Sequence, residues 1–149
     1  MRSALIIWAI ALLGVFAGGC ITILFVLLPF WASLPPQELM HWFRDFGQVT
    51  GITMLPMEII PLVLCLVIFF RGRNEENRTA WIMVNVFNIL ILLSFFVYFL
   101  PVNLSFVRHT IPESAVPSEL ERWKLVHSGR TILSVLSMVF AIAGRNRAH

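Results

Sequence analysis

Four long apolar runs constrain the fold of this chain more than any other feature of its sequence. They cover residues 4–30, 52–70, 80–100 and 131–143, and the fourth continues upstream to residue 120 as a helix with one polar face. A helix of about 20 residues crosses the hydrocarbon core of a bilayer. Hydrophobic residues make up 58% of the chain and charged residues only 13%, which excludes an ordinary soluble domain. We therefore expect one all-α domain over residues 1–149, a bundle of four transmembrane helices in the lipid bilayer.

The placement of basic residues predicts the orientation of this bundle. If all four helices cross, one side holds Arg2, Arg71, Arg73, Arg78, Arg145 and Arg147. The positive-inside rule places that side in the cytoplasm. We therefore expect both termini to be cytoplasmic, in a multi-pass protein of a bacterial inner membrane. The net charge of +3 then follows from topology, and no nucleic-acid partner is needed to explain it.

The connection between the first two runs, residues 31–50, is expected to lie at the outer surface. Pro35-Pro36 breaks the chain there, and residues 37–46 could form an amphipathic segment on the interface. Its apolar face, turned toward lipid, would hold Leu39, Trp42, Phe43 and Phe46. Trp31 and Trp42 fit the aromatic belt of a membrane protein.

The fourth helix carries a polar stripe. Steps of three and four residues place one set of side chains on a single helix face: Trp123, His127, Arg130, Ser134, Ser137 and Ala141. Lipid offers no hydrogen-bond partners, so this face is expected to point into the bundle. Ser118 and Glu121 form a capping-box pattern, which predicts a helix start near Glu119.

Glu58 is the only carboxylate inside an apolar run, and Pro56 and Pro61 flank it. An ionisable group at membrane depth raises a functional hypothesis. Glu58 lies 13 residues before Arg71, and Arg130 lies 15 before Arg145, so both sit about 20 Å above the cytoplasmic edge. His127 is one turn higher. If the second and fourth helices are neighbours, Glu58, Arg130 and His127 can form one cluster in the outer half of the membrane.

The third span carries three asparagines with side-chain amides that can form hydrogen bonds between helices. Asn85 and Asn88 are expected to bridge helices near the cytoplasmic end, and Asn103, after Pro101, reaches the outer end. Cys20 and Cys65 both fall inside spans, so no disulfide framework is indicated.

Three chemical interpretations of these residues remain open. Neutral His127 could remove an acidic proton while Arg130 stabilises the resulting oxyanion in a low-dielectric pocket. Alternatively, Glu58, Asn103, His127 and Arg130 could form a purely structural interhelical network. A metal could be held by some of His41, His109, His127 and Glu58, but no pair has a short ligand spacing, so we predict no metal site. We expect no other cofactor either.

The segment Phe99-Leu100-Pro101-Val102-Asn103, followed after a loop by Trp123-x-x-x-His127-x-x-Arg130, resembles the signature of the anthrone oxygenase-like family of small four-helix membrane proteins. Leu28-Pro29-Phe30 and Leu34-Pro35 extend the resemblance over most of the chain. Some members, in aromatic polyketide pathways, are assigned to oxidise an anthrone to an anthraquinone without flavin or metal. The resemblance implies roles for Asn103, Trp123, His127 and Arg130, whereas Glu58 is added only from its depth and polarity.

The leading functional hypothesis is oxygenation of a hydrophobic phenolic or anthrone-like substrate that enters from the bilayer. His127 would be the base and Arg130 the oxyanion partner. Asn103 and Glu58 would orient the substrate, and Trp123 would form a stacking wall. The alternatives are a non-catalytic accessory subunit or lipid- or quinone-binding module, joined by partner helices or by further copies of the chain, and a small transporter, which four spans without repeats make less suitable.

Overall fold

The computed structural model describes residues 2–71 and 78–146. Arg73 and Arg147, which entered the prediction of orientation, lie outside the described residues. Four long helices cover nearly all of this part of the chain: α1 (Ser3–Ser33), α2 (Pro36–Arg71), α3 (Arg78–Val107) and α4 (Glu113–Arg145). Each is long and apolar enough to cross a membrane, so the prediction of an all-α bundle with four candidate spans is confirmed.

The four helices form a ring. α1 packs against α2 and α4, and α3 packs against the same two helices, so α2 and α4 face each other across the centre. The bundle has a termini end, where Ile6, Ile68, Trp81 and Ala141 share one buried cluster, and a loop end, which holds the two short connections. Exposed apolar side chains such as Phe25, Phe70 and Val97 cover the outside. This surface suits lipid contact.

The connection between α1 and α2 is much shorter than the sequence predicted. Only Leu34 and Pro35 link the two helices, and both have extended backbones. Each precedes a proline, and a following proline disfavours the helical conformation. Pro36 then starts α2, because a proline at the first helical position loses no hydrogen bond. The expected loop over residues 31–50 is therefore mostly helix.

The first turns of α2 were also expected to lie on the lipid surface, and this was wrong for two residues. Leu39 and Phe43 are buried against the other helices, whereas Trp42 is half-buried and Phe46 is exposed. Trp31 was assigned to the aromatic belt but is only 2% exposed, packed against Trp42, Phe43 and Trp123. The loop end thus has an aromatic core of its own.

The second connection begins with a helix cap. His109 has a positive φ of 53°, its N–H donates to Phe106, and the Thr110 N–H donates to Ser105. These two bonds form a Schellman motif, which satisfies the last carbonyls of α3. A 3₁₀ turn at Glu113–Ala115 leads into α4, so the helix starts earlier than the predicted Glu119, and Ser118 donates to the Ala115 carbonyl rather than capping a helix start.

Three of the helices contain a π-helical turn, at Ile23–Leu27, Phe43–Gly47 and Phe95–Phe99. Pro29 and Pro101 each follow such a turn by two residues. A proline inside a helix lacks an N–H and its ring clashes with the carbonyl four residues earlier, and a wider turn relieves this conflict. Each π turn inserts one extra residue, which rotates the side chains beyond it by about 100°.

Candidate functional site

Most of the buried polar residues of the bundle lie on the facing helices, whereas Asn85 and Asn88 lie on α3. Glu58 on α2 is 1% exposed, and His127 and Arg130 on α4 are 1% and 8% exposed. The polar face of α4 therefore points inward, where Ser134 and Ser137 are also buried. Nearer the termini end, Asn88 donates to Ser137 at 2.7 Å and so bridges α3 and α4 as predicted.

Glu58 and Arg130 form an ion pair across the centre of the ring. Arg130 Nη2 donates to Glu58 Oε2 at 2.5 Å. Counting residues along the sequence placed Glu58 and Arg130 at equal depth, and their pairing was predicted for the case in which the second and fourth helices are neighbours. The structure instead brings them together from opposite sides of the bundle, which their long side chains can span. The pair is net neutral, which lowers the free-energy cost of burying each charge.

Aromatic rings surround the Arg130 guanidinium. Its central carbon lies 5.0 Å from the ring centre of Phe99, 5.3 Å from Phe16 and 6.0 Å from Phe95. Aromatic faces attract cations, and this attraction strengthens where water is excluded. The rings of α1 and α3 therefore hold the guanidinium in place while Glu58 neutralises it.

His127 is held in one tautomer by its surroundings. Its Nε2 lies 3.0 Å from the Cys20 carbonyl oxygen of α1. A carbonyl oxygen can only accept a hydrogen bond, so Nε2 must carry the proton, and neutral imidazole then has a free lone pair on Nδ1. The ring stacks on Trp123, one turn earlier, with 4.8 Å between ring centres and 22° between planes. Nδ1 is thus the nitrogen left to act as a base.

Asn103 contacts Trp123 rather than His127 or the ion pair. Trp123 Nε1 donates to Asn103 Oδ1 at 3.0 Å, which joins the C-terminal part of α3 to α4. The structure therefore brings all five predicted site residues to one region, with Asn103 acting directly on Trp123.

A small cavity lies between these groups. It has a volume of about 50 Å³, and its lining includes Glu58, Asn103, Trp123, His127 and Arg130. Every π turn also contributes to the wall: Ile23, Phe43, Gly47, Phe95 and Phe99. The helical irregularities therefore lie where the site is, as π turns often do. We call this space the polar pocket.

Buried polar atoms concentrate at the polar pocket. Among the described residues, five buried side-chain nitrogen and oxygen atoms have no hydrogen-bond partner, and four of them belong to pocket-lining residues. These four, which we call the open atoms, are Trp31 Nε1, Glu58 Oε1, His127 Nδ1 and Arg130 Nε. A buried polar atom without a partner is costly. Two donors and two acceptors on residues that line one pocket favour a site that holds a small polar group.

Trp31 is the one residue with an open atom at the polar pocket that the sequence did not identify as a site residue. Its indole ring is buried between Trp42, Phe43 and Trp123, with an open donor nitrogen. The only signal in the sequence was its position two residues after Pro29, where the phase of the helix changes.

The three histidines of the described residues do not converge on a metal site. His41 and His109 are exposed at the loop end with ring centres 5.4 Å apart, whereas His127 is buried in the bundle. Within residues 2–71 and 78–146, no three His, Cys, Asp or Glu side chains are grouped to hold a metal ion. Cys20 and Cys65 are both free thiols in the core.

Comparison with known proteins does not extend this description. No protein-family model, curated protein or solved structure matches the chain. The residues of the polar pocket between the four helices are therefore the basis for assigning its chemistry.

Proposed function

We propose that the protein is an integral membrane oxygenase that needs no cofactor and acts on a hydrophobic phenolic or anthrone-like substrate. The observation that carries the proposal is the fixed tautomer of His127: its Nε2 is held by the Cys20 carbonyl, and its open Nδ1 belongs to a pocket that also contains the open Nε of Arg130. A base and a cationic donor in one low-dielectric pocket suit the removal of the acidic proton of a phenol or an enol.

The reaction can be written for the enol form of an anthrone, whose hydroxyl lies across the central ring from the carbon that is oxidised. His127 Nδ1 takes the hydroxyl proton, and the oxygen becomes an enolate oxyanion whose charge is shared with that carbon. Arg130 Nε–H donates to that oxygen and stabilises its charge. Glu58 holds Arg130 in place through Nη2, which leaves Nε free for the substrate.

Molecular oxygen is the oxidant. It accepts electrons from the enolate and forms a carbon–oxygen bond at the carbon across the ring, and the resulting peroxide takes up one proton, which balances the proton that His127 releases. Loss of water from the hydroperoxide leaves a carbonyl. One substrate and one oxygen molecule thus give one quinone and one water.

The test is turnover of anthrone under ¹⁸O₂ by the protein in lipid nanodiscs, corrected for the slow reaction in protein-free nanodiscs. We expect labelled anthraquinone from the wild type and a rate lowered about 100-fold or more in His127→Gln, as for loss of a general base. His41→Gln is the matched control, because His41 is exposed at the loop end, and its rate should stay near that of the wild type. Equal rates for His127→Gln and the wild type would contradict the proposal.

A second candidate is a non-catalytic module that binds a lipid-soluble quinone or phenol. The closed Glu58–Arg130 pair favours it, because Glu58 already neutralises the charge that an oxyanion would use. Binding of 4-hydroxybenzophenone to the wild type, with anthraquinone formed no faster than in protein-free nanodiscs, would select this candidate over the oxygenase.

A further inference from the structure

A lateral groove runs beside the polar pocket between α2 and α3. Its volume is about 380 Å³, and α2 contributes Gly47, Gly51 and Leu55 to its wall. The opposite wall comes from α3, with Phe95, Leu100 and Leu104. Ile52 and Leu100 line it too and are 64% and 37% exposed, so the groove opens on the lipid-facing surface of the bundle.

The groove adjoins the polar pocket. Five residues line both spaces: Gly47, Gly51, Leu55, Phe95 and Asn103. Gly51 leaves the space between them open, since none of the described neighbouring groups lies within 4 Å of the position where its Cβ would be. A molecule lying in the groove can therefore bring one end into the polar pocket, toward the residues that carry the open atoms.

The two volumes restrict what this molecule can be. The polar pocket, at about 50 Å³, has room for a small polar group such as a hydroxyl or a carbonyl. The groove, at about 380 Å³, falls in the range of sites for drug-sized molecules, and its lining is apolar apart from Gln48 and Asn103. The occupant is thus a ring-sized apolar body with one small oxygen-bearing end.

We infer that the α2–α3 groove is the membrane-side access path and binding site for the apolar body of such a molecule, whose single oxygen end reaches the polar pocket past Gly51. The inference rests on the proposed function only for the chemical nature of that end. It assigns to α2 and α3 a role separate from proton transfer, namely taking a lipid-soluble aromatic molecule directly from the bilayer.

The test uses 4-hydroxybenzophenone, a two-ring phenol that crosslinks to nearby C–H bonds under ultraviolet light. The full-length protein in nanodiscs is irradiated with this probe, and labelled peptides are mapped by mass spectrometry. We expect label on groove residues such as Ile52, Leu55 and Leu104, with competition by anthrone. Label confined to the outer surface of α1 or α4 would overturn the inference.

Substitutions at Gly51 locate the path. Gly51→Ala, Gly51→Leu and Gly51→Trp fill the shared space with increasing volume, so groove labelling should fall in that order, by about tenfold or more for Trp. Gly18→Trp is the matched control: Gly18 is also a helix glycine with open space at its Cβ position, but it is exposed on α1 away from the groove. Its labelling should equal that of the wild type.

The outcomes separate this inference from the proposed function. Groove labelling without anthrone turnover supports the access path and contradicts the oxygenase. Wild-type turnover and labelling in a folded Gly51→Trp variant overturn the access path and leave the oxygenase standing. A co-purified phospholipid that blocks labelling until it is removed, or a second protein copy covering the groove, would also overturn the inference.

Discussion

At the scale of single residues, the site combines one completed interaction with several incomplete ones. Glu58 and Arg130 satisfy each other's charge, yet each keeps one open atom, as do His127 and Trp31. A purely structural network is expected to satisfy its members, because buried polar atoms without partners destabilise a fold. The four polar atoms that remain unpaired therefore favour a ligand-binding site over a purely structural network between the helices.

The ion pair leads to a prediction about stability. Glu58→Leu leaves the Arg130 charge buried without its carboxylate, and removal of one partner of a buried pair costs about 3–5 kcal/mol. The double variant Glu58→Leu with Arg130→Met removes both charges and should recover much of this loss. Thermal unfolding in detergent measures both effects. A double variant as unstable as Glu58→Leu alone would show that the two groups do not act as a pair.

Trp31 leads to a prediction about binding. Trp31→Phe removes an indole N–H that has no partner among the described residues, and because it also shortens a buried side chain, the free energy of unfolding should fall by about 1 kcal/mol or more. A ligand that accepts a hydrogen bond from this nitrogen would lose about 1 kcal/mol, or about fivefold in affinity. Trp8→Phe is the control, because Trp8 is 64% exposed on the lipid side of α1. Titration with 4-hydroxybenzophenone measures both variants, and equal affinities would remove Trp31 from the site.

The predictability of these residues has a physical limit. Trp123, His127 and Arg130 lie in a regular stretch of α4, where steps of three and four give the correct face. Glu58 was identified by depth, which depends only on the rise per residue. Trp31, Leu39 and Phe43 were assigned to the wrong environment because each lies within or beyond a π turn, or after a sharp connection, where a regular period no longer gives the direction of a side chain.

At the scale of helices, the π turns set the relation between the two parts of α1 and α3. Pro101 follows the turn at Phe95–Phe99, and the helix beyond it presents Asn103 to Trp123. The segment Phe99–Asn103, which resembles part of the anthrone oxygenase-like signature, thus contains both the proline that follows the turn and Asn103, which lies beyond it. Membership in that family remains a proposal based on this likeness.

Replacing Pro101 tests this geometry. In the wild type we expect a coupling energy of about 1 kcal/mol between Asn103→Leu and Trp123→Phe, as for polar contacts between membrane helices. In a Pro101→Ala background the turn can return to a regular α-helix, Asn103 rotates away and the coupling should fall close to zero. Pro56→Ala is the control, since Pro56 lies in a part of α2 that is α-helical despite the proline. Double-mutant cycles of thermal stability measure both, and unchanged coupling after Pro101→Ala would contradict this role of the turn.

Helix ends were predicted less well than helices. The apolar runs gave all four elements, but α2 and α4 begin well before their runs because Leu39, Phe43, Val116 and Leu120 bury apolar surface at the loop end. Tertiary packing there stabilises helical turns beyond the segment that crosses the bilayer. The hydropathy of the sequence identifies only the segment that crosses the bilayer.

At the scale of the whole molecule, the bundle is a ring of four helices with a polar layer inside and an apolar surface outside. The exposed apolar side chains fit a bilayer. The polar pocket extends toward the loop end, where Trp31, Phe43 and Asn103 line it. Which end faces the cytoplasm follows from the basic residues near the termini, and stays a prediction of the positive-inside rule.

Cysteine labelling in intact bacterial cells tests the orientation. Cys20 and Cys65 are both 0% exposed, so a cysteine introduced elsewhere reports on its own position. We expect a membrane-impermeant maleimide to label Thr110→Cys at the loop end, and to label a cysteine added after His149 only once the cells are permeabilised. The reverse pattern would place the loop end in the cytoplasm.

The most direct test of the central claim, that His127 is a base in a pocket open to the bilayer, is chemical rescue. His127→Ala removes the imidazole and leaves a cavity next to the substrate, and free imidazole added to the nanodiscs can occupy it. We expect anthrone oxidation by His127→Ala to be close to the protein-free rate and to rise with imidazole to a plateau, while His41→Ala shows no response. A variant that turns over anthrone as fast as the wild type, or one that imidazole does not restore although 4-hydroxybenzophenone still binds, would contradict the role of His127 as the base.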